Sequence, residues 1–309
     1  MLKYLIVLLD DLSVSFCHYP NNEGSKHLIS LNALKGGLIW AMKENLMVQF
    51  VYPDYELPQE YYDLIDTIDH IDIKRDNIDA DVSIFDGTES YDILKNTVCP
   101  HAVLRVSKNE LFRHIEDLEA VISKQSSLNI VITDIESFSS QDFESYKTVL
   151  KKLSSIIERK IKAGIPINTN VLTDRLALTS MNNCNAGDEN ITLAPDGNFY
   201  ICPAFYHDNK SSIGNPMDGL QISNNQLYKL EYSPVCRICD AYQCKRCVWL
   251  NHKLTHEVNI PGREQCIISH LERNASRSLL ERMKHLGNIS TNISIPEIDY
   301  IDPFEKISK

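Results

Sequence analysis

Seven of the nine cysteines in this 309-residue chain fall between positions 184 and 266. They run Cys184, Cys202, Cys236-x-x-Cys239, Cys244-x-x-Cys247 and Cys266, and Gly197 stands five residues before Cys202. Cysteines buried as small hydrophobes account for one or two such residues, but not for two C-x-x-C pairs. Residues 184–271 also lack the periodic apolar surface needed to fold on a core of their own, so a metal or cluster would supply the missing stabilisation. A zinc ribbon separates its knuckles by about 15–20 residues, so that two loops converge on one ion. Here only the four residues Asp240 to Gln243 intervene. Iron–sulfur clusters accept such interleaved runs, and seven thiols nearly fill two four-ligand sites. Zinc stands as the alternative.

The cysteines are expected to stay reduced, because nothing in the sequence points to export. The N-terminal run "KYLIVLL" is too short for a signal peptide, ends in two aspartates and has no small-residue cleavage site after it. No stretch approaches the ~20 apolar residues of a membrane helix. A cytoplasmic location follows, where the glycosylation-like triplets at Asn288 and Asn292 would go unused. The net charge is −11, and residues 1–100, with 7 Lys/Arg against 17 Asp/Glu, hold nearly all of it. That balance argues against a nucleic-acid partner, whose phosphates would be repelled.

Upstream of the cysteine block, β-rich runs alternate with helical spacing. Residues 4–9, 48–52, 82–85, 102–106, 129–134 and 167–172 read as strands. Leu31 to Leu46, Leu111 to Ile122 (capped by Asn109) and 141–162 read as helices, the last stopped by Gly164 and Pro166. Six such units predict an α/β fold with a parallel sheet, either an open doubly wound sheet or a partial barrel. No glycine-rich phosphate loop follows any strand, and Lys35-Gly36-Gly37 sits in a helical pattern as a packing site. Around residue 180 the texture becomes irregular, with a hairpin in "LAPDGNFYIC" turning at Pro195-Asp196-Gly197. The expected divisions are 1–180, a (β/α) domain; 181–271, a cysteine-rich domain; and 272–309, a helix over about 275–286 with a polar tail.

The order of Cys184, the Gly197-to-Cys202 hairpin, the Cys236–Cys247 run and Cys266 resembles the SPASM domain, the C-terminal module of radical SAM peptide-modifying enzymes. The run is one residue shorter in each of its last two gaps than that family's C-x2-C-x5-C-x3-C. The resemblance implies a partial (β/α)6 barrel followed by a small irregular cysteine-rich domain. It implies one auxiliary [4Fe–4S] cluster on Cys236, Cys239, Cys244 and Cys266, and a second on Cys184, Cys202 and Cys247. The second lacks a fourth cysteine, leaving its last iron open, held by another side chain such as His252 or His256, or bound by substrate. In this family the loop after the first strand carries C-x-x-x-C-x-x-C for the cluster that chelates S-adenosylmethionine (SAM). The loop "DDLSVSFCHYPN" offers Asp10, Val14 and Cys17 at those positions, so it reads as a remnant and SAM cleavage by this chain is not expected.

The stretches "KYLIVLLDD", "FCHYPN" and "VYPDYELP", with the cysteine block, resemble more narrowly the CXXX repeat peptide maturases. That likeness implies a ribosomally made, cysteine-rich precursor peptide as partner, with or without a separate radical SAM enzyme. The other reading is a non-catalytic peptide-binding module with structural clusters or zinc. Three smaller features read as structural: the Cys99-Pro100-His101 pair, Trp249 as a shield beside the cysteines, and the aspartates of 61–82, which lack a calcium loop's glycine and glutamate offsets.

Overall fold

A computed structural model describes residues 2–20, 24–181, 184–285 and 293–307. The first half alternates β1 (Tyr4–Leu8), α1 (Leu31–Lys43), β2 (Met47–Val51), α2 (Gln59–Ile65), β3 (His70–Arg75), β4 (Val82–Asp86), α3 (Ser90–Asn96) and β5 (Ala102–Val106). It continues with α4 (Lys108–Arg113), α5 (Ile115–Lys124), β6 (Ser127–Ile132), α6 (Ser140–Lys162), β7 (Asn168–Thr169) and α7 (Asp174–Ala177). Then come β8 (Asn190–Leu193), β9 (Phe199–Tyr200), α8 (Pro203–His207), the short pair β10 (Gly214–Asn215) and β11 (Gly219–Leu220), α9 (Val248–Thr255), α10 (Arg263–His285) and α11 (Pro303–Ile307).

Nine strands form one sheet in the order β7-β6-β5-β4-β3-β2-β1-β8-β9. All neighbours are parallel except the β8–β9 hairpin. Strands β1 to β7 follow one another without reversal and the helices between them all pack on one face, so this part of the sheet is not doubly wound, while β8 joins in parallel on the far side of β1. Its faces differ accordingly. Leu5, Val7, Val48, Phe50, Leu104 and Ile130 pack with the helices in the main core. The alternate positions Ile6, Leu8, Val51, Ile73, Ile84, Val103 and Val131 form a thin apolar layer containing no residue of α1 to α6.

Five of the six strands read from the sequence are present near their expected ranges, the one expected over 167–172 is only Asn168–Thr169, and β3 is an additional one. Its "HIDIKR" alternates Ile71 and Ile73 toward the face opposite α1 to α6 with polar and charged residues on the other, which made it look like part of a solvated acidic stretch. The cap expected at Asn109 is Ser107, in a capping box with Glu110, and the helix that follows breaks at His114 into α4 and α5. The helix expected from about 275 is α10, which begins at Arg263, carries Cys266 and runs through the 271/272 division, and the short α11 follows it in the expected tail. The end of its expected range and the triplets at Asn288 and Asn292 lie outside the described residues.

The cysteine block is tied to the sheet by β8, which pairs with β1 from Tyr4↔Asn190 to Val7↔Leu193. Gly37 on α1 makes this possible: a Cβ there would stand 2.3 Å from Leu193 Cδ2. Helix α10 packs along α6 and closes the structure at the other side. No helix among the described residues is long and apolar enough to cross a membrane.

Candidate metal centres

The loop after β1 lies across the face of the sheet opposite α1 to α6. Val14 and Phe16 pack into its thin apolar layer, and the Ser13 hydroxyl donates to Val51 O at 2.8 Å. Asp10 is fully buried, accepting from Leu12 N at 2.8 Å and from the Tyr55 hydroxyl at 2.8 Å. Arg105, 3% exposed on β5, donates from Nε to Cys17 O at 3.0 Å and from a terminal nitrogen to Tyr19 O at 2.7 Å. His18 Nδ1 meets Ile132 O at 3.0 Å. The loop therefore spans from β1 to β6. A cavity of about 400 Å³ beside it opens at the C-terminal ends of β4, β5 and β6, lined by His18, Asp86, Arg105, Glu110, Thr133 and Lys253 among others.

Two groups of thiols emerge. In the first, Cys236 opens a 3₁₀ turn, Cys239 ends it, Cys244 follows five residues on, and Cys266 lies in the first turn of α10. Burial raises the Cys236 thiol to about 12, helped by the charges of Cys244 and Cys239. Burial likewise raises Cys266, with Cys244, Cys236 and Cys239 adding to it. In the second, burial raises Cys247 well above its ordinary value, and Cys184, Cys17 and Cys202 push it further. Cys202 responds to burial, then to Cys17 and Cys184, and Cys17 to burial, then to Cys184. The seven cysteines singled out in the sequence divide as 236/239/244/266 and 184/202/247, and Cys17 joins the latter.

The surroundings suit thiolates. Ala241 N approaches Cys239 Sγ at 3.4 Å, Arg246 N approaches Cys244 Sγ at 3.4 Å, and Leu250 N approaches Cys247 Sγ at 3.5 Å. His270 Nε2 stands 3.4 Å from Cys239 Sγ. Such donors stabilise metal-bound sulfur, whereas a buried thiol makes little use of them. Among the described residues no three His, Cys, Asp or Glu side chains converge closely enough to hold a single ion.

Charged side chains buried around the first group hold its loops. Arg273 on α10 is fully buried and grips both oxygens of Asp240, the residue after Cys239, at 2.9 and 2.7 Å. Burial pushes the Asp240 carboxyl up, but the Arg273 contacts prevail and hold it below its usual value. Arg246 donates to Ser233 Oγ at 3.1 Å and Tyr228 O at 2.7 Å. Sequence reasoning missed these residues, because a charged residue buried on a helix looks the same in sequence as one in solvent.

Glu272 is buried beside Cys244 in a small cavity that also borders Gln243 and Lys245. Burial raises its carboxyl to about 7, against hydrogen bonds from Tyr146 at 2.7 Å and Gln243 at 3.4 Å. A carboxyl raised on folding contributes stability that is full below its unfolded value of 4.5 and is lost as pH rises through about 7. Glu272→Gln keeps the Tyr146 bond, and its new amide can serve the unpartnered Gln243 Oε1. The variant should be more stable than wild type by about 3 kcal/mol at pH 8 and lose that advantage near pH 5. Urea denaturation of both proteins from pH 5 to 8.5 checks it, and parallel pH curves would refute the assignment.

Other candidates separate. Cys99 is buried in the main core while His101 is exposed, its Nδ1 3.0 Å from Ser127 Oγ. His252 stacks on Phe205 at 5.9 Å, and His256 is exposed, closing α9 in a left-handed conformation. Trp249 is buried, its Nε1 donating to Asp208 Oδ2 at 2.6 Å.

No family model and no curated protein sequence matches the chain. Several solved structures are similar, two of one protein among them. One is SuiB of Streptococcus suis bound to S-adenosylmethionine, at 11% identity and a TM-score of 0.48, covering 86% of this chain and 75% of that one. The other is SuiB bound to precursor peptide SuiA, at 9% identity and a TM-score of 0.46, covering 86% and 76%. Likeness at this level is too loose to assign a site residue or an activity.

Proposed function

We propose that this chain is a SPASM-type iron–sulfur maturation protein for a ribosomally made, cysteine-rich peptide, built as a partial barrel with a cysteine-rich domain from about residue 181. The observation that carries this reading is the gathering of cysteines into two groups, one of them lying against the loop after β1. Cys236, Cys239, Cys244 and Cys266 would hold one cluster, and Cys184, Cys202 and Cys247 would take part in a second. Two C-x-x-C pairs separated by only four residues suit the interleaved runs that iron–sulfur clusters accept better than the two distant knuckles of a zinc ribbon. When bound, such clusters supply electrons or a Lewis-acidic iron.

The chain's own residues then have definite tasks. Backbone N–H groups of Ala241, Arg246 and Leu250 orient and stabilise the thiolates. Arg273 fixes the loop through Asp240. The cavity lined by Arg105, Lys253, Asp86 and Glu110 offers both signs of charge to a peptide backbone or side chain.

A further observation favours a partner enzyme. Asp10 and Val14, at the positions where relatives carry two cysteines, are 0% and 1% exposed and bonded or packed into the fold. SAM would find no cluster ligands there beyond Cys17. Anaerobically purified protein should contain about eight irons and eight sulfides per chain. With SAM and reductant alone it should give no 5′-deoxyadenosine. Stoichiometric zinc without sulfide would overturn the cluster reading. A peptide mass that never changes in mixtures of peptide, this chain and a radical SAM enzyme would reduce the chain to a binding module.

A further inference from the structure

We propose that Cys17 is the fourth thiolate of the second centre, so that the loop after β1 closes a four-cysteine site with Cys184, Cys202 and Cys247. This rests on the reading of that group as an iron–sulfur site. The three other cysteines lie 167 or more residues away in sequence. Side-chain contacts nevertheless bring the elements that carry two of them, Cys202 and Cys247, to this loop, and Cys184 acts on the Cys17 sulfur directly. Tyr19, two residues after Cys17, stacks on His207 at the end of α8, with ring centroids 5.6 Å apart. The Tyr206 hydroxyl on α8 donates to Asp11 Oδ1 at 2.5 Å. Cys202 is the residue before α8, Cys247 the residue before α9, and Trp249 on α9 donates to Asp208 just past α8.

Local geometry at Cys17 also matches that of the other thiols. The backbone N–H groups of Tyr19 and His18 act on its sulfur, as those of Phe205 and Ala204 act on Cys202. Ala241 and Arg246 do the same, two residues on, for Cys239 and Cys244. Cys99 differs: the polar groups acting on it are the side chains of Ser83 and Thr97. One buried polar atom, on the ring stacked against Tyr19, lacks a partner: His207 Nε2, which in the tautomer protonated there can donate to the sulfur of a cluster. A site with four thiolates has no open iron, so it would carry electrons or brace the loop and would not bind a substrate thiolate.

The test is made on the full chain, purified anaerobically, with and without Cys17→Ala. Wild-type protein should keep all its iron on mild ferricyanide oxidation. The variant should lose about one iron per chain and show the electron paramagnetic resonance signal of a [3Fe–4S] cluster, while Cys99→Ala behaves as wild type. A second measurement needs no variant. Cys17 should resist iodoacetamide in the loaded protein and become alkylated together with Cys184, Cys202 and Cys247 once the clusters are removed. If wild type holds about eight irons but Cys17→Ala is indistinguishable from it, or Cys17 reacts equally in both forms, the Cys17 assignment falls alone. A wild-type chain with iron at the first group only, or with none, would overturn the cluster reading along with it.

Discussion

An Arg273→Ala variant should lose about 3 kcal/mol of folding stability, the low end of the range for deleting one partner of a buried ion pair, because the Asp240 side chain left behind is 27% exposed. Arg273 has no exposed surface. Its fork meets both Asp240 oxygens, and one nitrogen also donates to Pro296 O at 2.6 Å. Truncation leaves a cavity the size of a guanidinium and its stem, and a carboxylate that keeps only Arg175, at 3.5 Å, as a cation. Arg273→Lys should recover less than half of the loss, because a point charge cannot serve two oxygens and a carbonyl at once. Asp240 follows Cys239 directly, so the same variant should release iron from the first group faster than wild type. Denaturant titration and iron release to a chelator are the readouts. A loss below about 1 kcal/mol would mean that the pair is no more than a surface contact.

The alternation of strand and helix was legible in the sequence because apolar runs such as "YLIVLL" and "AVLRV" are buried on both faces and need no partner to be recognised. The order of the strands was not. Whether successive helices cover one face or both depends on how β1 to β7 curl, and periodicity reports only that a helix has an apolar stripe. Strand β3 was hidden because only Ile73 of its six residues is fully buried. The early start of α10 was hidden by the polar residues Gln265, Ser269, His270, Glu272 and Arg273, which are buried and so interrupt the apolar stripe that marks a helix.

The candidate centres show the same division. The seven clustered cysteines could be recognised from spacing alone. Cys17 could be seen, but its neighbours in sequence suggested a motif that had lost two of its three thiols, and nothing local points to residues 184–247. Their meeting depends on β8 docking beside β1, a contact between segments nearly 190 residues apart. Within the SPASM-type reading, the loop that relatives use for one cluster is redirected to another. The positions that would have held the first cluster are instead given over to packing, at Val14, and to a hydrogen-bonded turn, at Asp10.

Removing the clusters should make residues 229–246 the weakest part of the molecule, with tryptic cleavage at Lys229, Arg237 and Lys245 faster by about tenfold or more. This stretch contains only 3₁₀ turns, and none of its side chains belongs to the main apolar core. What holds it is a few polar contacts, chiefly of Arg246, Arg273 and Gln243, and the thiols themselves. Without metal those thiols are protonated at neutral pH, since burial raises Cys236 and Cys239 to about 12. The apo segment is therefore uncharged at sulfur but uncompensated in enthalpy, and its backbone has few partners that survive opening. Loading must expel the protons, so reconstitution should strengthen as pH rises from 6 to 8.5. The parallel sheet keeps its own core, and far-ultraviolet circular dichroism should change little. Equal cleavage of loaded and stripped protein would show that packing alone holds the cysteine block, and that its sulfurs are buried without a metal's help.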